Sequence, residues 1–228
     1  MVTLKTPEIL IFLARNSVFF FEPKTGFTKQ LAIPVNVMRD LEVVDPNSLS
    51  SLIGNFVDNE KLNLGKVVVV ASEAISFTKD IPFSEENKKG IIVQDFTDTV
   101  PLESPEVKVF RTNTLYKVVG INPKYYQVLT EVMISKGFSV VGVIPGSVIT
   151  EVGPAEAISI ETAQKVLEGC DKIKSQNFMD GTVKTEAEPQ PIITIGKPKG
   201  NTIFILMGVF IIGLLVLGYL LTISFKQP

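Results

Sequence analysis

The sequence predicts an α/β domain with a mixed sheet, followed by a single transmembrane helix near the C-terminus. Three observations lead there. Short apolar strands separated by turn residues open the chain. Strand and helix patterns then alternate through most of its length. Finally, residues 202–223, TIFILMGVFIIGLLVLGYLLTI, contain no charged side chain.

The first strands are residues 9–13 and 18–21, both apolar, with Arg15, Asn16 and Ser17 as the turn between them. Residues 27–33 follow across Pro23, Lys24, Thr25 and Gly26, giving an antiparallel meander. Strands apolar on both sides imply a sheet covered on both faces. Asp45 and Pro46 suit the cap and first position of a helix carrying Leu49, Leu52, Ile53, Phe56 and Val57. KVVVVA, residues 66–71, is a buried strand by composition, and residues 74–78 continue or neighbour it. A second helix starts at Ser84, Glu85, Glu86 and Asn87 and runs to about Asp98, weakened by Gly90. Residues 107–111 and 115–120 read as strands. Asn122 and Pro123 open a helix with Tyr126, Leu129, Val132 and Met133 that stops at Gly137. A strand at 138–144 closes on Pro145 and Gly146. The helix at 159–175 puts Ile160, Ala163, Val166, Leu167, Cys170 and Ile173 on one side, so Cys170 reads as a small core residue rather than a reactive thiol.

Composition narrows the chemistry. The chain has no histidine and one cysteine. Histidine-based triads, histidine zinc sites and an intrachain disulfide are thereby excluded. A net charge of -2 gives no electrostatic case for nucleic acid. The carboxylates Asp40, Glu42, Asp45, Asp58 and Glu60 follow no paired pattern and read as a solvated face.

The apolar run at 202–223 rises about 33 Å as a helix, against a hydrocarbon core of about 30 Å. A buried helix of a globular domain is the alternative, but such helices rarely run this long without a polar face. Gly208, Gly213 and Gly218 are spaced by five and share no single face. Lys197 and Lys199 before the run and Lys226 after it place the N-terminal side in the cytoplasm by a slight positive-inside bias. The N-terminal residues show no cleavable leader pattern, which points the same way. The expected organisation is a domain at 1–176, a flexible linker at 177–201, the transmembrane helix at 202–223 and a short tail at 224–228. The expected location is the inner (cytoplasmic) membrane, single-pass, with the N-terminal domain in the cytoplasm.

The order of elements resembles the actin-like domains of bacterial assembly proteins. The nearest are the PilM-type protein of type IV pilus assembly and the cytoplasmic half of the type II secretion protein GspL, relatives of FtsA. Residues 66–82, KVVVVASEAISFTKDIP, look like that family's central strand, the turn out of the sheet and the proline before its second helix. Residues 85–101, EENKKGIIVQDFTDTVP, look like the helix ending in a characteristic proline. Residues 115–144, LYKVVGINPKYYQVLTEVMISKGFSVVGVI, look like a strand, an apolar-lined helix and the glycine-led strand of the small inserted subdomain.

The resemblance implies a partial actin-like (ribonuclease H-like) fold with a small inserted α+β subdomain. It also implies a nucleotide site that this chain lacks the parts for. Relatives place an aspartate and a glycine in the first hairpin, for Mg²⁺ and for phosphate approach. Here Leu13 and Ala14 stand where the acid is expected, and no glycine occurs in the turn. Arg15, Asn16 and Ser17 can reach a phosphate or simply form the turn. No GxGxxG or GxxxxGK[ST] pattern occurs, and no second half follows. The implied protein is a truncated, nucleotide-free derivative with no catalytic, cofactor-binding or metal-binding residue and no cofactor. The leading expectation is a membrane-anchored, non-catalytic adaptor or scaffold of a pilus or secretion platform, with the bilayer and other proteins as partners. The alternatives are a tethered small-molecule sensor or binding module and a nucleotide-binding actin-like ATPase relative.

Overall fold

The computed structural model describes residues 7–153, 156–173 and 176–179. They belong to one compact unit, Met1–Val183. Strands β1 (Ile9–Ala14), β2 (Ser17–Glu22) and β3 (Phe27–Ala32) form the antiparallel meander. Two very short strands, β4 (Met38–Arg39) and β5 (Glu42–Val43), make a hairpin before helix α1 (Pro46–Glu60). Strand β6 (Lys66–Ala71) returns to the sheet and pairs parallel to β1. The chain then leaves for a separate sheet of β7 (Ser76–Pro82), β8 (Glu106–Arg111) and β9 (Leu115–Ile121), with helix α2 (Lys89–Thr99) between β7 and β8. Helix α3 (Pro123–Ser135) brings it back to β10 (Ser139–Pro145), and α4 (Ile160–Ile173) ends the regular structure.

The central sheet has five strands in the order β10-β6-β1-β2-β3, with β10, β6 and β1 parallel. All six residues of β1 are buried because alternate side chains feed two different cores. Ile9, Ile11, Leu13, Val67 and Val69 face α1 and α3. Leu10, Phe12, Val68 and Val70 face α4. The helices supply the matching faces. Leu49, Ile53 and Val57 of α1 and Leu129 and Met133 of α3 enter the first core. Ala163, Val166, Leu167 and Cys170 of α4 enter the second. Each large side chain so buried contributes about 1.5–3 kcal/mol.

Asp45 caps α1 as its sequence position predicts, its carboxylate accepting from the Ser48 backbone N–H at 3.0 Å and from the Ser48 hydroxyl at 2.6 Å. Those bonds hold the Asp45 carboxyl below its ordinary pKa. Asn122 caps α3 through Lys124 N–H at 2.9 Å, and Gly137 lies just past that helix at φ +91°.

The small sheet is antiparallel throughout, in the order β7-β9-β8. One face, with Phe110, Val119 and Ile121, joins the first core. The other buries Ile81, Tyr116 and Val118 beneath Ile92, Val93 and Phe96 of α2. Two details differ from the sequence reading. Residues 74–78 neither continue nor flank β6, because a 3-10 turn at Glu73–Ile75 redirects the chain into the other sheet. Of residues 115–144, only β9 lies in the small sheet, whereas β10 pairs with β6 in the central one.

The transmembrane helix expected at 202–223 falls outside the described residues. No helix among the described residues is long and apolar enough to cross a membrane. The longest of them, α1, has 15 residues and rises about 22 Å, well short of the hydrocarbon thickness. The fold established here is the mixed-sheet α/β domain, without the anchor in its description. The membrane-anchored adaptor, the single-pass inner-membrane location and the bilayer as partner all rested on that helix and are withdrawn with it.

Candidate functional site

Parallel strands of an open α/β sheet present their carboxyl ends as the usual ligand side. Here those ends are Ala14, Ala71 and Pro145, none of which carries a functional group. The first hairpin is tied from beneath. The Tyr125 hydroxyl, buried under it, donates toward the carbonyls of Ala14 at 3.1 Å and Ser17 at 3.3 Å. Burial pushes the Tyr125 pKa well above its usual range, so the group is a neutral donor. Arg15 and Asn16 are exposed at the turn, and the Asn16 carbonyl accepts from Ile33 N–H at 2.8 Å. A gap of about 10 Å³ beside Leu13, Ala71, Asn122 and Tyr125 has room for one water at most.

The five carboxylates are dispersed, each in a structural setting. Asp40 sits in the β4–β5 turn with φ 51°. Glu42 accepts from the Asn122 amide at 2.6 Å and from Glu103 N–H at 2.9 Å. Asp45 is the α1 cap. Asp58 pairs with Lys136 at 2.5 Å and Glu60 with Lys29 at 3.3 Å. Among the described residues, no group of three or more histidine, cysteine or acidic side chains is placed to hold a metal ion. Cys170 is buried on the inner face of α4.

A wide cleft lies just beyond β10. Its volume is about 630 Å³, within the usual size range of small-molecule sites, roughly 300–1,000 Å³. Three pieces of chain build its walls. The β8–β9 turn brings Thr112, Asn113 and Thr114. The turn after β10 brings Ser147, Thr150 and Glu151. Helix α4 and the residue beyond it bring Lys165, Gly169 and Gln176.

Each wall is locally fixed. The Thr112 hydroxyl donates to the Leu115 carbonyl at 2.9 Å and accepts from Leu115 N–H at 3.2 Å, closing the β8–β9 turn. Gly146 starts the next turn where a Cβ would lie 3.0 Å from the Ala71 carbonyl oxygen, so only glycine lets the chain cross the end of β6 this closely. Gln176 donates its amide N–H to the Arg111 carbonyl at 3.2 Å.

Two polar atoms in this lining have no partner. Ser147 Oγ and Gln176 Oε1 are both shielded from solvent and unbonded. Buried polar atoms are normally satisfied, and an orphaned one costs about 1–3 kcal/mol. Neither atom is open to the cleft, so the polar groups it presents are those of Thr112, Asn113, Thr114, Thr150, Glu151 and Lys165. Its one cation, Lys165, and its one carboxylate, Glu151, balance in charge. The sequence reading singled out none of these residues. Pro145 and Gly146 marked a turn, but the lining comes from segments far apart in the chain, which no linear motif encodes.

No family model and no curated protein matches the chain. Solved structures do show distant similarity. One is the cytoplasmic domain of EpsL, an inner membrane component of the type II secretion system of Vibrio cholerae, at 13% identity, 60% of this chain, 56% of that chain and a TM-score of 0.37. Another is the PilM–PilN type IV pilus biogenesis complex, at 10% identity, 58% and 45% coverage and a TM-score of 0.39. A third is a Bacteroides thetaiotaomicron protein with an actin-like ATPase fold and unknown function, at 15% identity, 65% and 56% coverage and a TM-score of 0.37. The chain spans about half the length of these structures. These likenesses are partial and distant, and they single out no member.

Proposed function

We propose that this chain is a non-catalytic small-molecule-binding module whose ligand occupies the cleft between the β8–β9 turn, the turn after β10 and α4. The observation that carries this reading is a cleft of ligand size whose walls bring polar residues of three separate segments together, Thr112–Thr114, Ser147–Glu151 and Lys165 with Gln176. The ligand is a neutral molecule rich in hydroxyl or amide groups, because the lining, beside Val148, Ile149 and Val166, is hydroxyls and amides with one charge of each sign. Within the actin-like fold the chain stands as a reduced relative of the PilM and GspL type. The strand order and the small sheet inserted after β6 support that placement.

Native mass spectrometry of the purified chain tests this. A neutral compound of less than about 500 Da co-purifies with the wild type. It is absent from Gly169→Leu, whose added side chain enters open space, since no atom lies within 4 Å of a Cβ at that position. A ligand-free wild type, or equal retention by the variant, contradicts the reading. Tight Mg²⁺-dependent ATP binding would instead support a nucleotide-binding relative.

A further inference from the structure

The outer edge of β10 is not bare. Residues 177–179 run along it, beyond the end of α4. The Phe178 N–H donates to the Val143 carbonyl at 2.8 Å, the single backbone bond between the two segments among the described residues. The Val143 N–H donates instead to the Asn177 side-chain oxygen, also at 2.8 Å. That oxygen accepts a second bond from Met179 N–H at 2.9 Å. A carboxamide thus stands where the carbonyl of a paired strand would be.

Strand β10 is shaped to receive it. Its register against β6 shifts between Val140 and Gly142. A Cβ on Gly142 would lie 3.0–3.2 Å from the Asn177 carboxamide atoms. The Asn177 side chain therefore fills space that glycine leaves.

The next residue is the plug. Phe178 is 2% exposed. Its ring packs edge-on against Phe110 of β8 at 5.3 Å and tilted against Tyr126 of α3 at 6.1 Å. Lys108 of β8 donates to the Phe178 carbonyl and holds its ammonium 5.7 Å from the ring centre. Lys108 also pairs with Glu106 at 3.3 Å, and Glu106 accepts from the Tyr126 hydroxyl. One short segment thereby touches the central sheet, α3 and the small sheet together.

We propose that the outer edge of β10 is a strand-docking site that the chain fills with its own residues 177–179, and that this segment releases from the edge without unfolding the domain. One main-chain bond, one carboxamide, one ring and the Lys108 ammonium hold it. Strand β6 stays paired to β1 and, apart from the shift at Val140–Gly142, to β10, and Phe178 is one of many side chains in the first core. Local opening at a cost well below global unfolding is the expected behaviour of such a segment. Release bares the Val143 N–H and carbonyl as a strand edge.

Native-state hydrogen exchange on the full chain, without ligand, tests this independently of the cleft. Asn177→Ala removes the acceptor and raises exchange at the Val143 amide about tenfold or more. Gly142→Ala displaces the same carboxamide without altering the segment and does the same. The double variant exchanges no faster than the faster single one. Amides of Val68–Val70 keep their wild-type rates throughout. An unchanged Val143 rate in both single variants overturns the proposal. So does an equal acceleration at Val68–Val70, which makes the segment an inseparable part of the core. If Asn177→Ala fails to fold, Gly142→Ala carries the measurement alone, and failure of both to fold also counts against release.

Discussion

The central and small sheets are built from similar residues but buried to different degrees. In β1 and β6 almost every side chain is inside, because helices cover both faces. In β8 only Phe110 is buried, and α2, which covers the outer face, has no fully buried residue. The central sheet is a scaffold and the small sheet an appendage that places the β8–β9 turn at the cleft. The difference teaches where strain and substitution are tolerated: a cavity in the middle layer has nowhere to collapse, whereas α2 can settle onto one beneath it.

A matched pair of isoleucines gives the largest test of that contrast. Ile11 and Ile81 are both 0% exposed. Ile11→Ala is expected to cost about 4–5 kcal/mol and Ile81→Ala about 2–3 kcal/mol in urea unfolding, the gap reflecting how far each site relaxes. Equal losses would remove the distinction between the sheets.

Next is the link between the first hairpin and α3. Tyr125→Phe deletes the hydroxyl that serves the Ala14 and Ser17 carbonyls. It is expected to cost about 1 kcal/mol in the same unfolding measurement. No loss would mean the hairpin holds itself.

The α1 cap sharpens the comparison through pH. The Asp45 carboxyl is held below its ordinary value of 3.8, so it binds fewer protons folded than unfolded. Its stabilising contribution is full above that ordinary value and fades as pH falls through the folded one. Asp45→Ala therefore unfolds at a lower temperature than wild type at neutral pH, and the difference closes in strong acid. A gap that persisted there would assign the effect to something other than the ionised cap.

The smallest expected effect lies at the β4–β5 turn. Asp40 and Leu41 both take left-handed conformations, φ 51° and 67°. Asn tolerates that region better than most residues. Asp40→Asn is expected to raise stability by a few tenths of a kcal/mol, measured by thermal unfolding.

That turn also shows why some of the fold was hidden in the sequence. A two-residue hairpin usually announces itself as Asn-Gly, and Asp-Leu carries no such signal. By contrast β1 to β3, α1, β6 and α3 were legible, since long apolar runs, Pro46 and Pro123 at helix starts and glycine-bearing turns all point one way. Strand β7 was misplaced because Ser76–Pro82 alternates weakly and the redirecting turn at Glu73–Ile75 has no glycine or proline. The mixed-sheet α/β character was legible from element order. The cleft was not, because Thr112, Ser147, Lys165 and Gln176 meet only after β8, β10 and α4 are in place. The apolar run at 202–223 was the plainest sequence signal, and the functional reading built on it is the one the structure does not support.

The central claim is that a small neutral polar molecule sits in the cleft. Backbone amide NMR, with the co-purified compound returned to the stripped protein, tests it most directly. The account predicts saturable shifts grouped at Thr112–Thr114, Ser147–Glu151 and Lys165–Gly169. Shifts grouped instead around Glu8 and Lys24, or no shifts at saturating compound, would contradict it.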